Sequence, residues 1–482
     1  MNSKKKFEIK SKTHDILSVS SIHAVPNMVK DNFIAVKLIW FVCFLTSASF
    51  CAYFIILSIQ EYFNYDVITN IRLYNEIPSI FPMVTICNLN LFTTNFSRDI
   101  LINLDEYGNI SDSLKLNQSS GRYKAIIKAI NANESYQKML GNSLNEIIVS
   151  CVFDWHDCSL MDDFSYNYDY EYGNCFRFNG GKNMNNEPVP FKSTTTSGLS
   201  NGLQLELLTQ SAKENDNPFS IYNGFNIFIS NRSVHSYYTD GINVSPGFTT
   251  KIIINKYSIL KKPKPYSQCT ADLNSIYSYQ SNLYKKVFEF KNRYRYTDCI
   301  SYCTQLYIIK FCECFDSQNG KFTNDTKACS EPHELDCVDH YYDLFLKEKM
   351  ITKCDCPLEC DMTNYFFTTS VAEFPTKSYA DKILNDSKII SKFDIKNKDK
   401  ITFDDLRSRL ISVNIFYNDL HHVVISEEVK MSIISLISYI GGTLSLFLGM
   451  SFLSFIEFVE IFLQTCFILV NNAIITPIEI LN

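Results

Sequence analysis

The sequence predicts an α+β membrane protein in which two transmembrane helices flank one large, disulfide-rich domain of mixed α/β structure. Three observations predict it: an apolar segment near each end of the chain, an even number of cysteines between those segments, and strand and helix patterns in the same intervening region. The boundaries that follow are a leading segment over residues 1–36, spans over 37–60 and 429–470, an intervening domain over 61–428, and a tail over 471–482.

The first apolar segment carries no charged residue from Leu38 to Ile59, and about 20 apolar residues are enough for a helix to cross a bilayer. A signal peptide starts close to the N-terminus, whereas more than thirty mostly polar residues precede this segment, so we expect it to stay in the protein. Those residues include several lysines, which favour the cytoplasmic side. We therefore expect a two-span plasma-membrane protein with both termini in the cytoplasm and the intervening domain outside the cell.

The second apolar segment is uncharged from Met431 to Ile456. As a helix it would extend about 39 Å at about 1.5 Å per residue, more than a hydrocarbon core of about 30 Å. Its small residues leave two interpretations open. Gly442, with Leu446 and Met450, can mark a face on which another helix packs closely. Alternatively, Gly449-Met450-Ser451 interrupts the helix, and backbone carbonyls line a narrow aqueous path.

Two carboxylates, Glu457 and Glu460, follow these small residues. A carboxylate inside or just beyond an apolar span is costly unless it faces other helices or water. One interpretation is that the two acids attract cations beside an aqueous pathway. The other is that they cap the helix at the membrane interface.

The cysteines predict disulfides. Of the 17 cysteines, Cys43, Cys51 and Cys466 lie in the apolar segments, and 17 minus 3 leaves 14 between them. This even set indicates seven bridges formed in an oxidising environment. A metal cluster is the rival interpretation of the dense groups at 312–314 and 354–360, and an extracellular setting disfavours it.

Eight N-x-S/T sequences are predicted glycosylation sites, and all of them lie between the two spans. Glycans are added only on the lumenal side of the membrane, so this confinement agrees with the expected topology. The acceptors are Asn95, Asn109, Asn117, Asn133, Asn231, Asn243, Asn324 and Asn385.

Composition excludes some functions. The formal net charge of −6, with 20% charged residues, gives no sign of a nucleic-acid partner. We find no Ser/His/Asp arrangement, zinc-ligand spacing or phosphate-binding glycine loop, so the sequence predicts neither an enzyme nor a cofactor or metal site.

The intervening region shows local patterns of both kinds. Alternating apolar residues over 225–229 and 250–254 predict strands, and residues 123–148 have apolar residues at helical spacing. Cys299 and Cys303, four residues apart on a predicted helix, share one face and can bridge to one facing strand that carries Cys354 and Cys356. Turns are predicted at three glycines, Gly198, Gly202 and Gly247.

Three stretches together resemble the degenerin/epithelial sodium channel superfamily, which includes acid-sensing and peptide-gated sodium channels. Phe81-Pro82-Met83-Val84-Thr85-Ile86-Cys87-Asn88 resembles the motif that follows the first span, and residues 440–451 resemble the pore signature. The cysteines from Cys269 to Cys360 are similar to those of the family's thumb. The resemblance covers nearly the whole chain and implies an acid-sensing-channel-like fold that assembles as a homo- or heterotrimer.

The resemblance also implies roles for individual residues. Gly449, Met450 and Ser451 match the family's G-x-S selectivity constriction for sodium. The ion pathway is implied at Ser445, the position at which the blocker amiloride acts in relatives, and at Glu457 and Glu460 below the filter. Gating roles are implied at His23, Ser435 and Tyr53. The implied disulfides are Cys87–Cys175, Cys151–Cys158, Cys269–Cys360, Cys299–Cys356, Cys303–Cys354, Cys312–Cys337 and Cys314–Cys329.

The chain departs from the family pattern at positions that concern gating. The cytoplasmic His-Gly motif of relatives is His23-Ala24 here, and Asp66 stands near the position where acid-sensing relatives keep a histidine. The sequence at 230–233 lacks the acidic pair that the finger of those relatives contributes to a proton-sensing pocket, which leaves Asp339 and Asp343 facing Arg232 or solvent. These departures disfavour proton gating.

The resemblance therefore favours a peptide-gated subunit, similar to those of cnidarians. The expected protein is a subunit of a trimeric, amiloride-sensitive, ligand-gated sodium channel that an extracellular neuropeptide opens, with related subunits and membrane lipids as further partners. A lever through Tyr53 and residues 294–296 would join the thumb to the spans. Alternatively, these aromatic residues are interfacial. The competing functions are a proton-gated or constitutive sodium channel, and, from another class, a non-conducting two-span receptor or adhesion glycoprotein.

Overall fold

The structure is a computed structural model that describes residues 24–97, 99, 134–169, 171–209, 222–231, 241–291, 293–319, 322, 326–390 and 401–451, together with 453, 454, 456, 457, 459, 460, 462 and 463. The chain forms two compact units. The first consists of Met1–Thr69 and Glu427–Asn482, and the second consists of Asn70–Ser426.

The α-helices are α1 (Ala24–Lys30), α2 (Ile34–Phe63), α3 (Glu134–Leu140), α4 (Leu144–Ile147), α5 (Asn282–Lys291), α6 (Tyr296–Cys312), α7 (Pro332–Lys347), α8 (Lys377–Asn385), α9 (Ser387–Ile390), α10 (Phe403–Arg407) and α11 (Ile433–Leu448). Short 3-10 helices occur at Leu199–Asn201, Ser317–Asn319 and Met350–Lys353.

The strands are β1 (Val67–Asn75), β2 (Ser79–Ile80), β3 (Met83–Asn88), β4 (Ile148–Phe153), β5 (His156–Asp157), β6 (Phe164–Asp169), β7 (Gly173–Phe178), β8 (Ser193–Thr194), β9 (Leu203–Leu208), β10 (Phe225–Ser230), β11 (Ile242–Val244), β12 (Phe248–Leu260), β13 (Cys269–Thr270), β14 (Leu358–Glu359), β15 (Asp361–Glu373) and β16 (Leu410–Val429).

Two sheets build the second unit. A seven-stranded sheet has the order β15-β12-β16-β9-β4-β5, with β1 paired to β16, and a five-stranded sheet has the order β11-β10-β3-β7-β6. Alternate side chains from both sheets enter one core, because side chains along a strand point to opposite faces. The two strands predicted at 225–229 and 250–254 are confirmed as parts of β10 and β12.

The three predicted turn glycines have two different roles. Gly198 and Gly247 have φ angles of 98° and 83°, a left-handed conformation that glycine adopts at little cost. Gly202 instead has φ of −97° at the start of β9. A Cβ there would stand 2.2 Å from the carbonyl oxygen of Ile415, so Gly202 is required by close backbone packing and not by a turn.

The helical pattern predicted over 123–148 is not one continuous helix in the part of it that is described. Helices α3 and α4 are separated at Gly141 to Ser143, and the residues before 134 lie outside the described chain. A capping box starts α4, in which Ser143 and Glu146 exchange side-chain and backbone hydrogen bonds. This capping box begins a new helix, so the apolar pattern that the sequence suggested is divided between two helices.

The cysteine-rich region is built on α5, α6 and α7. Cys299 and Cys303 lie one turn apart on α6 as predicted, but Cys354 and Cys356 do not belong to a facing strand. They follow the 3-10 helix at Met350–Lys353, and the N–H of Cys356 donates to the carbonyl of Cys354 at 2.8 Å. The prediction of a strand was wrong because these short-range hydrogen bonds replace those of a ladder.

Seven disulfides close the second unit, and they join the same pairs that the family resemblance implies. The sulfur atoms of each pair lie 1.91 to 2.08 Å apart. Cys43 and Cys51 of α2 are free thiols, and Cys466 lies outside the described residues.

The disulfides differ in the length of chain that they close, and this predicts different contributions to stability. Cys303–Cys354 spans 51 residues and Cys151–Cys158 spans 7. By the chain-entropy relation the first contributes about 4 kcal/mol and the second about 2 kcal/mol to the free energy of unfolding. Chemical unfolding of the two double Cys→Ser variants should show the larger loss for C303S/C354S. Equal losses would contradict this assignment.

Candidate ion pathway and gating elements

Helix α11 ends in a left-handed glycine. Gly449 has φ of 71° and ψ of 16°, and its N–H donates to the carbonyl of Ser445 at 3.0 Å. This bond from Gly449 to Ser445 is that of the αL helix end, and the N–H of Met450 donates to the carbonyl of Leu444 at 3.3 Å. Glycine is favoured here because other residues adopt a positive φ at a cost.

Ser451 starts a second helical stretch after this break. The N–H of Ser454 donates to the carbonyl of Ser451 at 3.0 Å, and the N–H of Ser451 donates to the hydroxyl of Ser454 at 3.1 Å. The described residues from 453 to 463 are helical. Gly449-Met450-Ser451 therefore separates two helical stretches, and the aqueous path that the second interpretation adds to this break stays a prediction.

The two acids lie on the helical stretch after the break. Glu457 is half-buried and Glu460 is exposed. Residues three apart on a helix are neighbours on one face, so Ser454, Glu457 and Glu460 form one polar row. The polar row gives this stretch a hydrophilic side beside its apolar residues.

The start of α11 differs from the predicted start of the span at residue 429. Val429 is the last residue of β16, and the hydroxyl of Ser432 caps α11 by accepting from the N–H of Ser435 at 3.1 Å. Ser435 is half-buried, and its hydroxyl lies 2.9 Å from that of Ser432. The residue implied in gating is therefore part of the N-terminal cap of this helix.

Helix α2 is long and apolar enough to cross a membrane, and it is the one such helix among the described residues. α11 is apolar but only 16 residues long. The two helices meet where Phe447 stacks on Phe54 and Phe50, with ring centroids 5.7 and 6.4 Å apart. Tyr53 is exposed and meets Phe54 edge-on.

The glycines of α11 take no part in that contact. Among the described residues, a Cβ at Gly441 or Gly442 would meet no other atom within 4 Å. Close packing of small residues against a helix of the same chain therefore does not explain these glycines. The sequence analysis did not single out Phe447, the residue that does contact α2, because one more aromatic residue in an apolar segment gives no distinctive signal.

An ion-pair cluster joins the two chain segments that form the first unit. The Lys430 ammonium lies 3.0 Å from the Glu61 carboxylate and 3.4 Å from that of Asp66, and the Lys430 N–H donates to the Asp66 carbonyl at 3.0 Å. Asp66 stands near the position where acid-sensing relatives keep a histidine. It is paired here with a lysine from the segment between β16 and α11.

A second charged cluster lies within the seven-stranded sheet. The Lys256 ammonium is 2.7 Å from the Glu76 carboxylate, and His422 Nδ1 is 3.4 Å from the same carboxylate. His422 Nε2 lies 2.8 Å from the Ser258 hydroxyl, which in turn lies 2.8 Å from that of Thr363. The residues of this cluster come from four strands. Glu76 follows β1, and the others lie on β12, β15 and β16.

The cluster sits at an irregularity of β16. The parallel register of β12 and β16 shifts between Ile254, opposite Tyr417, and Lys256, opposite His422. The extra residues form a bulge whose Leu420 carbonyl accepts from the N–H of Glu76 at 3.1 Å. The bulge turns His422 towards β12.

Aromatic packing fixes the start of α6. Tyr294 is fully buried and stacks on Tyr284 with centroids 4.2 Å apart, and its hydroxyl donates to the carbonyl of Pro357 at 2.8 Å. Arg295 forms an ion pair with Glu359. The interfacial interpretation is therefore wrong for Tyr294, because the ring is enclosed in the cysteine-rich region.

The two acids of α7 considered for proton sensing have partners or neighbours on their own helix. Asp343 pairs with Lys347 one turn along α7. Burial, and the nearby Asp336 carboxylate, raise the pKa of Asp339. Arg232 and His23 lie outside the described residues.

The predicted glycosylation sites differ in exposure. Asn95, Asn243 and Asn385 are exposed, and Asn231 is half-buried. The other four, Asn109, Asn117, Asn133 and Asn324, lie outside the described residues.

The sequence comparisons with a protein family and with individual proteins agree with one another. The family described as amiloride-sensitive sodium channel matches residues 16–461. The chain is 25% identical to acid-sensing ion channel 1 of Gallus gallus, over 91% of this chain and 81% of that protein. It is also 25% identical to the bile acid-sensitive ion channel of Rattus norvegicus, over 95% and 87% of the two chains. Epithelial sodium channel subunit beta-2 of Xenopus laevis is 28% identical over 68% of this chain and 49% of its own length.

The apolar helix, the disulfide-rich domain and these matches define an ion channel protein and not an enzyme. The chain belongs to the amiloride-sensitive sodium channel family, whose members are plasma-membrane sodium channels.

His422 gives this domain a pH-dependent stability. Burial, and then the Lys256 ammonium, lower the pKa of His422, and the Glu76 carboxylate only partly opposes them. The unfolded chain takes up a proton at about pH 6.5, whereas the folded chain keeps His422 neutral to lower pH. The unfolded state therefore binds more protons below about pH 6.5, and stability decreases as the pH falls through that window.

Replacing His422 by Gln should make the decrease in melting temperature between pH 7 and pH 5 shallower. His421→Gln is the matched control, since it removes a neighbouring exposed imidazole and should retain the wild-type slope. Thermal unfolding of the full-length protein at several pH values measures both slopes. An unchanged slope in H422Q would contradict the role given to this cluster.

Proposed function

We propose that this chain is one subunit of a trimeric, sodium-selective, amiloride-sensitive cation channel that an extracellular neuropeptide opens. The observation that carries the proposal is the helix break at Gly449-Met450-Ser451, followed by Glu457 and Glu460 of the polar row. Irregular backbone at membrane depth is tolerated where it is enclosed by protein or lines a water-filled cavity, and acids beside such a cavity attract cations.

In this proposal α11, the break and the following helical residues form the second span. From Ile433 to Leu463 the distance is about 46 Å at about 1.5 Å per residue, enough to cross a bilayer. Residues 1–36 and 471–482 are cytoplasmic, 37–60 and 429–470 contain the spans, and 61–428 is extracellular. Glycans attach to the exposed asparagines of that domain.

The pore is formed by the second spans of three subunits. Gly449, Met450 and Ser451 form the constriction, where oxygen atoms replace part of the hydration shell of sodium. Ser445, exposed on α11 one turn before Gly449, lies on the path of amiloride. Glu457 and Glu460 hold cations on the cytoplasmic side.

Exposed apolar residues on an edge strand support assembly. β15 lies at the edge of the seven-stranded sheet, and Phe366, Phe367 and Val371 on it are exposed. An exposed edge with large apolar side chains is a surface that partner chains cover. Copies of this chain or related subunits are the partners in this proposal.

Gating by a peptide is favoured over gating by protons because two of the acids considered for proton sensing are already paired. Asp66 lies beside Lys430, and Asp343 lies beside Lys347. A peptide that binds the open state better than the closed state shifts the equilibrium towards opening. His23, Ser435 and Tyr53 then act in the transition, Ser435 through the cap of α11.

Proton gating is the second candidate, and the Glu76, Lys256 and His422 cluster favours it. Protonation of His422 would place a second cation beside Lys256 and weaken the existing arrangement. Bile acids are a further class of ligand to test, because one relative is named for its sensitivity to them.

A bulky residue at the constriction should change conduction. Ser451→Phe is expected to abolish the sodium current or alter its ion preference, with surface expression retained, because the side chain fills the narrowest part of the path. Leu446→Phe is the control, since Leu446 is exposed on α11 and lies about 100° around the helix from Ser445. Unchanged current size and selectivity in S451F would show that the constriction lies elsewhere.

Whole-cell recording in oocytes tests the activating ligand. The subunit is expressed alone and with related subunits, and amidated neuropeptides, acid and bile acids are applied separately, followed by amiloride. Peptide-evoked, amiloride-blocked sodium current is the expected result. Current with acid alone would favour the second candidate, and silence in every combination, with the protein at the surface, would favour a non-conducting receptor.

A further inference from the structure

The second face of the five-stranded sheet carries buried and half-buried polar side chains beside the apolar cluster of Cys87, Cys175 and Phe228. Along β3, Val84 and Ile86 point into the shared core, and Thr85 between them points to the other side. By the same alternation, Arg177 of β7 and Ser230 of β10 lie on that other side. We call this side the outer face. Thr85 is fully buried, and Ser230 is 4% exposed.

Strand register brings these side chains together. Thr85 is directly opposite Arg177, and Arg177 is directly opposite Ser165 of β6. Ser230 is opposite Met83, two residues from Thr85 on the same face. Directly opposite residues have Cβ atoms about 5 Å apart, and diagonal neighbours lie within about 7–8 Å. A guanidinium on its long side chain reaches across such distances.

The chain folds back over this cluster. A Cβ added at Gly180 would lie 3.2 Å from the Ser165 hydroxyl, 3.4 Å from Cβ of Arg177 and 3.8 Å from the Met83 sulfur. The backbone at Gly180 therefore covers one end of the outer face and limits access of bulk water.

Three polar atoms in this cluster are buried and have no hydrogen-bond partner in the part of the chain that the structure describes: Thr85 Oγ1, Arg177 Nε and Ser230 Oγ. Buried polar groups in native proteins are satisfied by protein, by ordered water or by an ion. Each of these three atoms can donate a hydrogen bond. Their convergence indicates a bound species that accepts hydrogen bonds.

The charge of Arg177 limits which species can bind at the outer face. Among the described residues, Arg177 forms no ion pair within 4 Å, and burial lowers the pKa of its guanidinium. Asp169, four residues along β6 from Ser165, is the acid whose charge acts on it, but the two groups do not form an ion pair. Its carboxylate already accepts from the N–H groups of Glu171 and Tyr172 at 2.9 and 3.2 Å. The guanidinium repels a cation. An anion, unlike a water molecule, also supplies the counter-charge of Arg177.

We propose that Arg177, Thr85 and Ser230 bind a small monovalent anion on the outer face, with chloride as the occupant in extracellular fluid. The anion accepts from both hydroxyls and from the guanidinium, and it neutralises Arg177. Three strands, β3, β7 and β10, contribute one ligand each, so occupancy ties the middle of the sheet together. Stability of the extracellular domain then depends on the anion concentration.

Anion replacement in the full-length, detergent-solubilised protein tests this site. Replacing sodium chloride by sodium gluconate at equal ionic strength should lower the melting temperature of the wild type by roughly 2 °C or more. Thr85→Val/Ser230→Ala removes two donors and should reduce that shift at least by half. In gluconate this variant should be as stable as wild type or more so, because it lacks the unpartnered hydroxyls.

Thr304→Val is the matched control. Thr304 is also buried, but its hydroxyl donates to the Ile300 carbonyl at 3.0 Å within α6, so this variant should keep the full chloride-dependent shift. A bromide soak of wild-type crystals gives a readout that does not depend on any variant folding. An anomalous peak within about 4 Å of the Arg177 guanidinium and the Thr85 hydroxyl is expected. Absence of that peak, or an unaltered shift in T85V/S230A, would overturn the proposal.

Discussion

β16 imposes the constraint on which the rest of the second unit depends. It pairs in parallel with β12 on one side and antiparallel with β9 on the other, and β1 also pairs with it. Side chains such as Val413 and Ile415 are fully buried in the core that both sheets share, so a slip of one residue would turn them to the opposite face. The bulge before His422 interrupts this register once, and the charged cluster with Glu76 and Lys256 forms there. β16 then ends at Val429, three residues before the cap of α11.

Covalent bonds and aromatic packing stabilise the cysteine-rich region where regular hydrogen bonding is sparse. Cys354 and Cys356 lie in an irregular segment, and bridges to α6 hold it in place. Next to it, Tyr284 and Tyr294 stack in a small core that lies apart from the main one. The even cysteine count predicted bridging without the structure. The conformation of the segment could not be predicted, because a disulfide places few demands on the backbone that carries it.

The candidate pathway combines features that a sequence reveals with features that it hides. The left-handed Gly449, and Ser451 whose hydroxyl accepts from the N–H of Ser454 at 3.4 Å, follow from local chemistry, since glycine adopts a positive φ readily and serine caps helices well. The partner of Asp66 was not predictable in the same way. Lys430 is more than 360 residues away in sequence, and nothing in the composition around either residue indicates their contact. The contact between α2 and α11, Phe447 with Phe54, could not be predicted for the same reason.

The sequence by itself determined the order of the apolar segments, the presence of seven bridges, two of the core strands and membership of a channel family, because hydrophobic periodicity, cysteine number and short motifs are local properties. Only the tertiary structure decided which strands adjoin β16, where α11 begins, and which charged groups meet. It also placed Thr85, Arg177 and Ser230 on one buried face, although they come from strands far apart in the chain. The physical reason is that register and side-chain proximity between distant segments arise from packing around a common core, and a pattern within one segment carries no information about its neighbour.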